Sequence, residues 1–161
     1  MTTAHAFSFP TLDGTGTIGL GSFAGKPVLV VNTASACGFT PQYKDLQALW
    51  DRYRERGLVV LGVPSNDFGG QEPGDAGEIG AFCERNYGVS FPLAAKQPVL
   101  GGDAHPFYRW LGEEVGEAAL PKWNFHKLLL GPDGQVAGIF GPRVAPLSDE
   151  LVAAVEALLP G

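Results

Sequence analysis

The chain predicts an α/β fold built on a central mixed sheet flanked by helices, and three observations carry that expectation. Two uninterrupted apolar runs, at 28–31 and 58–63, have the composition of strands buried on both faces. Between them lies a helical pattern with Leu46, Leu49, Trp50 and Tyr53 on one side, which makes a βαβ unit. Farther on, two strand-like segments joined by the turn Gly131-Pro-Asp-Gly134 precede an amphipathic stretch, giving a ββα ending.

Each element has its own reason. Phe7 and Phe9, then residues 17–20, flank the turn-rich Leu12-Asp-Gly-Thr-Gly16, and Asp13-Gly14 there predicts an N-terminal β-hairpin laid against the main sheet. Pro41 suits the first turn of a helix running to about Arg56, and Gly57 stops it. The strand at 58–63 opens into Pro64-Ser-Asn-Asp-Phe-Gly-Gly-Gln-Glu-Pro-Gly74. Glycines at 69, 70 and 74 let this loop approach other groups closely, while Asn66, Asp67, Gln71 and Glu72 hydrogen-bond without adding positive charge. Asp75-Ala-Gly-Glu78 fits a capping box for a helix to about Asn86, with Ile79, Phe82 and Cys83 on its apolar stripe. A short strand is expected at 93–95, and a short helix after His105-Pro106 with Phe107, Trp110 and Leu111 inward. Residues 112–120 read as irregular. Strands follow within 122–130 and 135–140, and Ser148 caps a last helix over 149–159. The order βαβ then ββα, behind a hairpin, is a thioredoxin-like arrangement. With no repeat, linker or low-complexity segment, 1–161 is expected to form a single domain.

Composition narrows the partners. A chain of 161 residues, 45% hydrophobic and 17% charged, buries a core without metal or disulfide staples. Its net charge of −6 argues against a nucleic-acid or anionic-membrane surface. The first ten residues lack a basic segment leading into an apolar one, and no run approaches a membrane span, so no stable membrane insertion and a cytoplasmic location are expected. His5, His105 and His126 have no metal-ligand spacing among themselves or with the cysteines, and no metal or cofactor is expected.

Cys37 and Cys83, in a chain large enough to need no staple and with no export signal expected, suggest redox chemistry more than structural cross-linking. Cys37 falls where the first buried strand gives way to a helix, and there unpaired N–H groups and the helix dipole favour a thiolate. The competing reading of a lone Cys among apolar residues is a small buried hydrophobe, and for Cys83 on its helical stripe that is the default. The spacing Cys37-Gly-Phe-Thr40 looks like a redox Cys-x-x-Cys with its second sulfur replaced by a hydroxyl. The loops after 28–31 and 58–63 leave the same end of a parallel pair, where open α/β sheets place ligands.

Three segments then combine. Asn32-Thr-Ala-Ser-Ala-Cys37-Gly-Phe-Thr40, the 64–74 loop and Lys122-Trp123-Asn124-Phe125 resemble, in order and spacing, the three signature motifs of the glutathione peroxidase family. The resemblance runs over nearly the whole chain, including His105-Pro106 and Asn86-Tyr-Gly-Val-Ser-Phe-Pro92. It implies a thiol peroxidase reducing hydrogen peroxide and organic hydroperoxides. By the same resemblance Cys37 is the peroxidatic residue, Gln71, Trp123 and Asn124 complete its tetrad, and Cys83 is the resolving cysteine of the members that use thioredoxin. Direct use of glutathione, or relay of oxidation to a partner protein as a peroxide sensor, are the alternatives. The short segment between His105 and Trp123 resembles the monomeric members. Ser65 stands where many relatives have a third cysteine, and Asp67 where the family usually has Gln. A carboxylate near Cys37 opposes its ionisation, so Asp67 is expected to point away, to pair with a cation such as Lys122, or to lower the activity.

The chemistry demands more than a thiolate. Lowering a thiol pKa from about 8.5 to about 6 raises the thiolate fraction at about pH 7 roughly 30-fold. A Brønsted coefficient of about 0.4 to 0.5 takes back roughly tenfold in nucleophilicity. Donors aimed at developing charge must supply the rest, on the order of 100-fold each, and the N–H groups of Gln71, Trp123 and Asn124 are neutral donors of that kind. The sulfenic acid left on Cys37 then needs a second thiol, and a disulfide needs Cα atoms within about 7 Å. With Cys83 on a buried stripe, the segment 78–86 is expected to unwind partly after oxidation.

Overall fold

In a computed structural model, which describes residues 2–159, strand β3 (Val28–Thr33) organises the sheet. It pairs parallel with β4 (Val59–Pro64), Val28 beside Val59 through Thr33 beside Pro64, and antiparallel with β5 (Lys127–Leu130). β6 (Val136–Phe140) lies beyond β5, so the mixed sheet runs β4-β3-β5-β6. Every residue of β3, β4 and β5 is buried, as the continuous apolar runs require.

The two faces of β3 feed two cores. Val28 and Val30 join Phe9, Leu20 and the inward residues of α3 (Pro106–Glu114), while Leu29 and Val31 meet α1 (Gln42–Tyr53), α2 (Ala76–Tyr87) and α4 (Asp149–Leu158). Each fully buried aliphatic or aromatic side chain there contributes about 1.5–3 kcal/mol of hydrophobic stabilisation. The hairpin forms as expected, β1 (Ser8–Pro10) antiparallel to β2 (Thr17–Gly19), and stands as a separate two-stranded sheet. Asp75 and Glu78 close the expected capping box, and Gly57 ends the first crossover helix at φ 111°.

Several boundaries differ from the expectation. Residues 93–95 form no strand. Leu93 and Ala94 make single bridges to Gly62 and Thr11, because this segment crosses from the β4 edge to the hairpin and bonds a different partner at each step. Residues 112–120 are not irregular throughout: α3 continues to Glu114, and a 3-10 turn covers Glu117–Ala119. Residues 122–126 lie outside β5, which starts only at Lys127. Asn32 causes that delay. Its side-chain N–H donates to the Trp123 carbonyl at 2.9 Å and its carbonyl accepts from Phe125 N–H at 2.6 Å, with Phe125 held at φ 65°. A left-handed Phe is strained, and the strain sits beside the residues that matter most.

Candidate active site

Cys37 lies in the loop between β3 and α1, buried at 8% exposure. Its sulfur accepts the Phe39 N–H at 3.3 Å. The first N–H groups of α1 are not aimed at it: Gln42, Tyr43 and Lys44 donate back to the carbonyls of Phe39, Thr40 and Pro41. A loop amide, rather than the open end of the helix, therefore serves this sulfur. Thr40 is no surrogate for a second redox sulfur either. Its hydroxyl accepts Cys37 N–H at 2.9 Å and donates to the Ala34 carbonyl at 2.9 Å, pinning the loop.

The structure gathers Gln71, Trp123 and Asn124. Asn124 Nδ2 donates to Gln71 Oε1 at 2.9 Å and, at 3.5 Å, to the Phe68 carbonyl. Gln71 is fixed at its backbone too, because its carbonyl accepts Ala36 N–H at 3.0 Å, one residue before Cys37. With its oxygen occupied, the Gln71 amide keeps its own N–H₂ for another partner. The Trp123 ring packs on Phe68, with centroids 5.8 Å apart, and leans so close to Gly69 that a Cβ there would lie 3.1 Å from the ring. Gly69 also has φ 68°, so loop and indole fit together only with glycine at that point. Trp123 and Phe39 line a cleft of about 450 Å³ with Gly141, Pro142, Arg143 and Val144. A larger groove of about 640 Å³ lies between the hairpin and α2, but none of these donors lines it.

Asp67 takes the first of its three expected courses. Its carboxylate turns to the far side of the loop and accepts Val99 N–H at 2.7 Å and Leu100 N–H at 3.1 Å. Ser65 is fully buried and accepts Asp67 N–H. Cys83 lies on the buried face of α2 at 1% exposure, and both cysteines are free thiols. Burial pushes the Cys83 thiol up to about 11, partly offset by the Tyr43 hydroxyl and reinforced by the Glu72 carboxylate.

Two residues, Asn32 and Lys127, were not singled out by sequence reasoning, and the burial of Glu72 was not foreseen. Asn32 anchors the Trp123–Phe125 turn, Glu72 is a carboxyl only 1% exposed, and Lys127 is fully buried. Lys127 Nζ donates to the carbonyls of Gly141 and Pro142 at 3.4 and 3.2 Å, and Gln42 Nε2 donates to Pro142 at 2.7 Å, so the far wall of the cleft is tied to β5 and α1. For Asn32 and Lys127 the available signal was a polar residue inside an otherwise apolar strand.

The model of the glutathione peroxidase family matches residues 4–112, ending before Trp123 and Asn124. The chain is 47% identical over 165 residues to a hydroperoxy fatty acid reductase of Synechocystis, covering 98% of this chain and 96% of that one. It is 52% identical over 126 residues to a glutathione peroxidase-like peroxiredoxin of Chlamydomonas reinhardtii, covering 77% and 78%. Among solved structures, the crystal structure of Trgpx in apo form superposes with a TM-score of 0.73 at 37% identity, over 99% of both chains.

Proposed function

This chain belongs to the glutathione peroxidase family, and from that premise we propose how its residues divide the work of a thiol peroxidase. The Cys37 thiolate attacks one oxygen of a hydroperoxide, the O–O bond breaks, and the other oxygen departs as an alcohol or water once it has gained a proton. Cys37 is left as a sulfenic acid. The Gln71 N–H₂ and the Trp123 indole N–H stabilise the sulfur anion and the departing oxygen, and Asn124 holds Gln71 in place for that task. One observation supports this reading: Gln71 is bound through its side chain to Asn124 and through its backbone carbonyl to Ala36, so groups from three distant segments are tied together beside the loop that carries Cys37.

Cys83 is the resolving thiol. It displaces hydroxide from the Cys37 sulfenic acid, water is released, and thioredoxin reduces the resulting disulfide. Because Cys83 is buried, α2 opens before the two sulfurs meet. The cleft beside Trp123 has apolar walls and Arg143 among its lining residues, which suits a hydroperoxide with an apolar tail and a carboxylate. The name of the Synechocystis relative, a hydroperoxy fatty acid reductase, supports that substrate class. The same reading makes the protein a monomeric, single-domain enzyme of the reducing cytoplasm, where two free thiols persist. Among the described residues no helix is long and apolar enough to cross a membrane.

NADPH-coupled turnover of hydrogen peroxide and of a fatty-acid hydroperoxide tests this, with thioredoxin and its reductase set against glutathione and its reductase. Turnover with thioredoxin is expected to exceed that with glutathione. Cys83→Ser is expected to retain one stoichiometric turnover and to lose thioredoxin-driven cycling. Cycling that survives the substitution removes Cys83 from the mechanism.

A further inference from the structure

Lys127 opens strand β5 with its side chain fully buried, in a run whose next three residues are leucines. Among the described residues its ammonium has no carboxylate partner; the ion pair found there joins Arg56 to Glu156. A buried charge held without a counterion costs the fold stability, and an apolar side chain of similar length would sit in this strand without that cost. The position therefore points to a use besides folding.

That use lies in the turn that follows β6. Lys127 is the register partner of Phe140, so Gly141 and Pro142 leave the sheet beside it. Val144 N–H closes the turn on the Gly141 carbonyl at 3.1 Å, with Pro142 and Arg143 as its two central residues. Lys127 Nζ donates to the carbonyls of Gly141 and Pro142, and Gln42, from α1, donates to Pro142 from a second direction at 2.7 Å. Among the described residues, these three are the hydrogen bonds that other elements make to the backbone of the turn. An amine carries two N–H bonds and an ammonium three, so Lys127 serves both carbonyls in either state.

The turn is one wall of the 450 Å³ cleft, and Phe39 and Trp123 line the same cleft. Phe39 also donates its N–H to Cys37 sulfur at 3.3 Å, which ties the cleft to the reacting atom. A shift of the turn moves Arg143 relative to that sulfur and leaves the bonds among Gln71, Asn124 and Ala36 untouched. Hydrogen peroxide has no tail to meet the wall. A hydroperoxide with a long apolar tail and a carboxylate meets it along its length.

We propose that Lys127 is a positioning residue for bulky hydroperoxides: through the Gly141 and Pro142 carbonyls it sets where Arg143 stands relative to Phe39 and Trp123, and so how the cleft holds a substrate carboxylate. The inference rests on the substrate class read from the cleft above. Lys127 touches no substrate; it acts through the turn.

The test is Lys127→Met, which fills the same space and removes the donor. Reduced enzyme is mixed with hydrogen peroxide, a fatty-acid hydroperoxide or the methyl ester of that hydroperoxide, quenched with an alkylating agent, and the loss of reduced Cys37 is followed by mass. The fatty-acid hydroperoxide reaction is expected to slow about tenfold, through a higher half-saturating concentration rather than a lower limiting rate, while the hydrogen peroxide reaction changes less than about twofold. The advantage of the acid over its ester should shrink with it. Gln42→Leu frees the Pro142 carbonyl from the other side and should lower the ratio of the two rates in the same direction by less. A purely structural role for Lys127 would move both substrates alike, so an unchanged ratio in Lys127→Met overturns the proposal. Arg143→Ala separates the two readings: if it leaves the fatty-acid hydroperoxide rate at the wild-type value, the substrate class read from the cleft falls as well. Should Lys127→Met not accumulate as folded protein, Gln42→Leu decides, and an unchanged ratio there overturns the positioning role of the latch.

Discussion

At Gln71 and Asn124 two amides share one hydrogen bond, and that sharing changes what each substitution should reveal. Asn124 spends its N–H₂ on Gln71 Oε1 and the Phe68 carbonyl, so its largest effect passes through the orientation of Gln71. Gln71→Ala and Asn124→Ala are each expected to slow sulfenic acid formation on the order of 100-fold. The double variant should lose much less than the product of the two, because removing Gln71 leaves Asn124 nothing to orient. Rapid mixing with hydrogen peroxide gives all four rates, and simple multiplicativity would return Asn124 to the status of an independent donor. The strained Phe125 belongs to the same scale. Its left-handed backbone turns Trp123 and Asn124 toward the 64–74 loop just before β5 begins, which matches the tendency of strained residues to cluster where geometry is functional.

Among the helices, α2 carries Cys83 and is the one that the proposed resolving step requires to open. It contains Gly77 and Gly80, each about 0.8–1 kcal/mol less favourable in a helix than Ala. Both glycines line the 640 Å³ groove, where little packs against that side of the helix. A Cβ at Gly80 would meet only Leu12 at 3.7 Å, and one at Gly77 only Asp75 at 3.5 Å, both ordinary contacts. Gly77→Ala with Gly80→Ala should therefore stabilise α2 by about 1–2 kcal/mol. If opening of α2 limits disulfide formation, thioredoxin-driven turnover should fall about five- to thirtyfold while stoichiometric oxidation of Cys37 is unaffected. Hydrogen exchange across α2 should slow in parallel; slower exchange with unchanged turnover would refute opening as the limiting step. The 64–74 loop behaves in the opposite way. Asp67 clamps it to residues 99 and 100, Asn66 accepts Glu72 N–H at 2.9 Å, and Gln71 is tied to Ala36, so this loop is a fixed platform.

For the whole molecule, Lys127 links stability to pH. Burial pushes its ammonium down from 10.5 to about 7. As pH falls, the unfolded chain takes up the proton first and the folded chain only near the lower value. Stability is thus lost on going down through that window and recovered on going up. Relative to Lys127→Met, the wild type should gain about 2 kcal/mol between about pH 7 and about pH 9 in urea unfolding. The comparison matters because Cys83 and Tyr43, both raised by burial, act in the opposite direction in wild type and variant alike. A difference that stays flat with pH would show that Lys127 is solvated. Most of the architecture was legible because continuous apolar runs at 28–31 and 58–63 mean strands buried on both faces, and because the capping box at Asp75 and the glycine at 57 mark helix ends chemically. The segments at 93–95 and 122–126 were misread because their conformation is set by partners far away in the chain, Gly62 and Thr11 for one and Asn32 for the other. Hydrophobic spacing and side-chain chemistry, which are local properties, sufficed to indicate the mixed sheet, the order of its elements, and the residues able to ionise or donate. The direction of the Asp67 carboxylate, the occupation of Thr40, and the pairing of Gln71 with Asn124 depend on how distant segments pack, and contacts of that range leave no periodic trace in a single sequence.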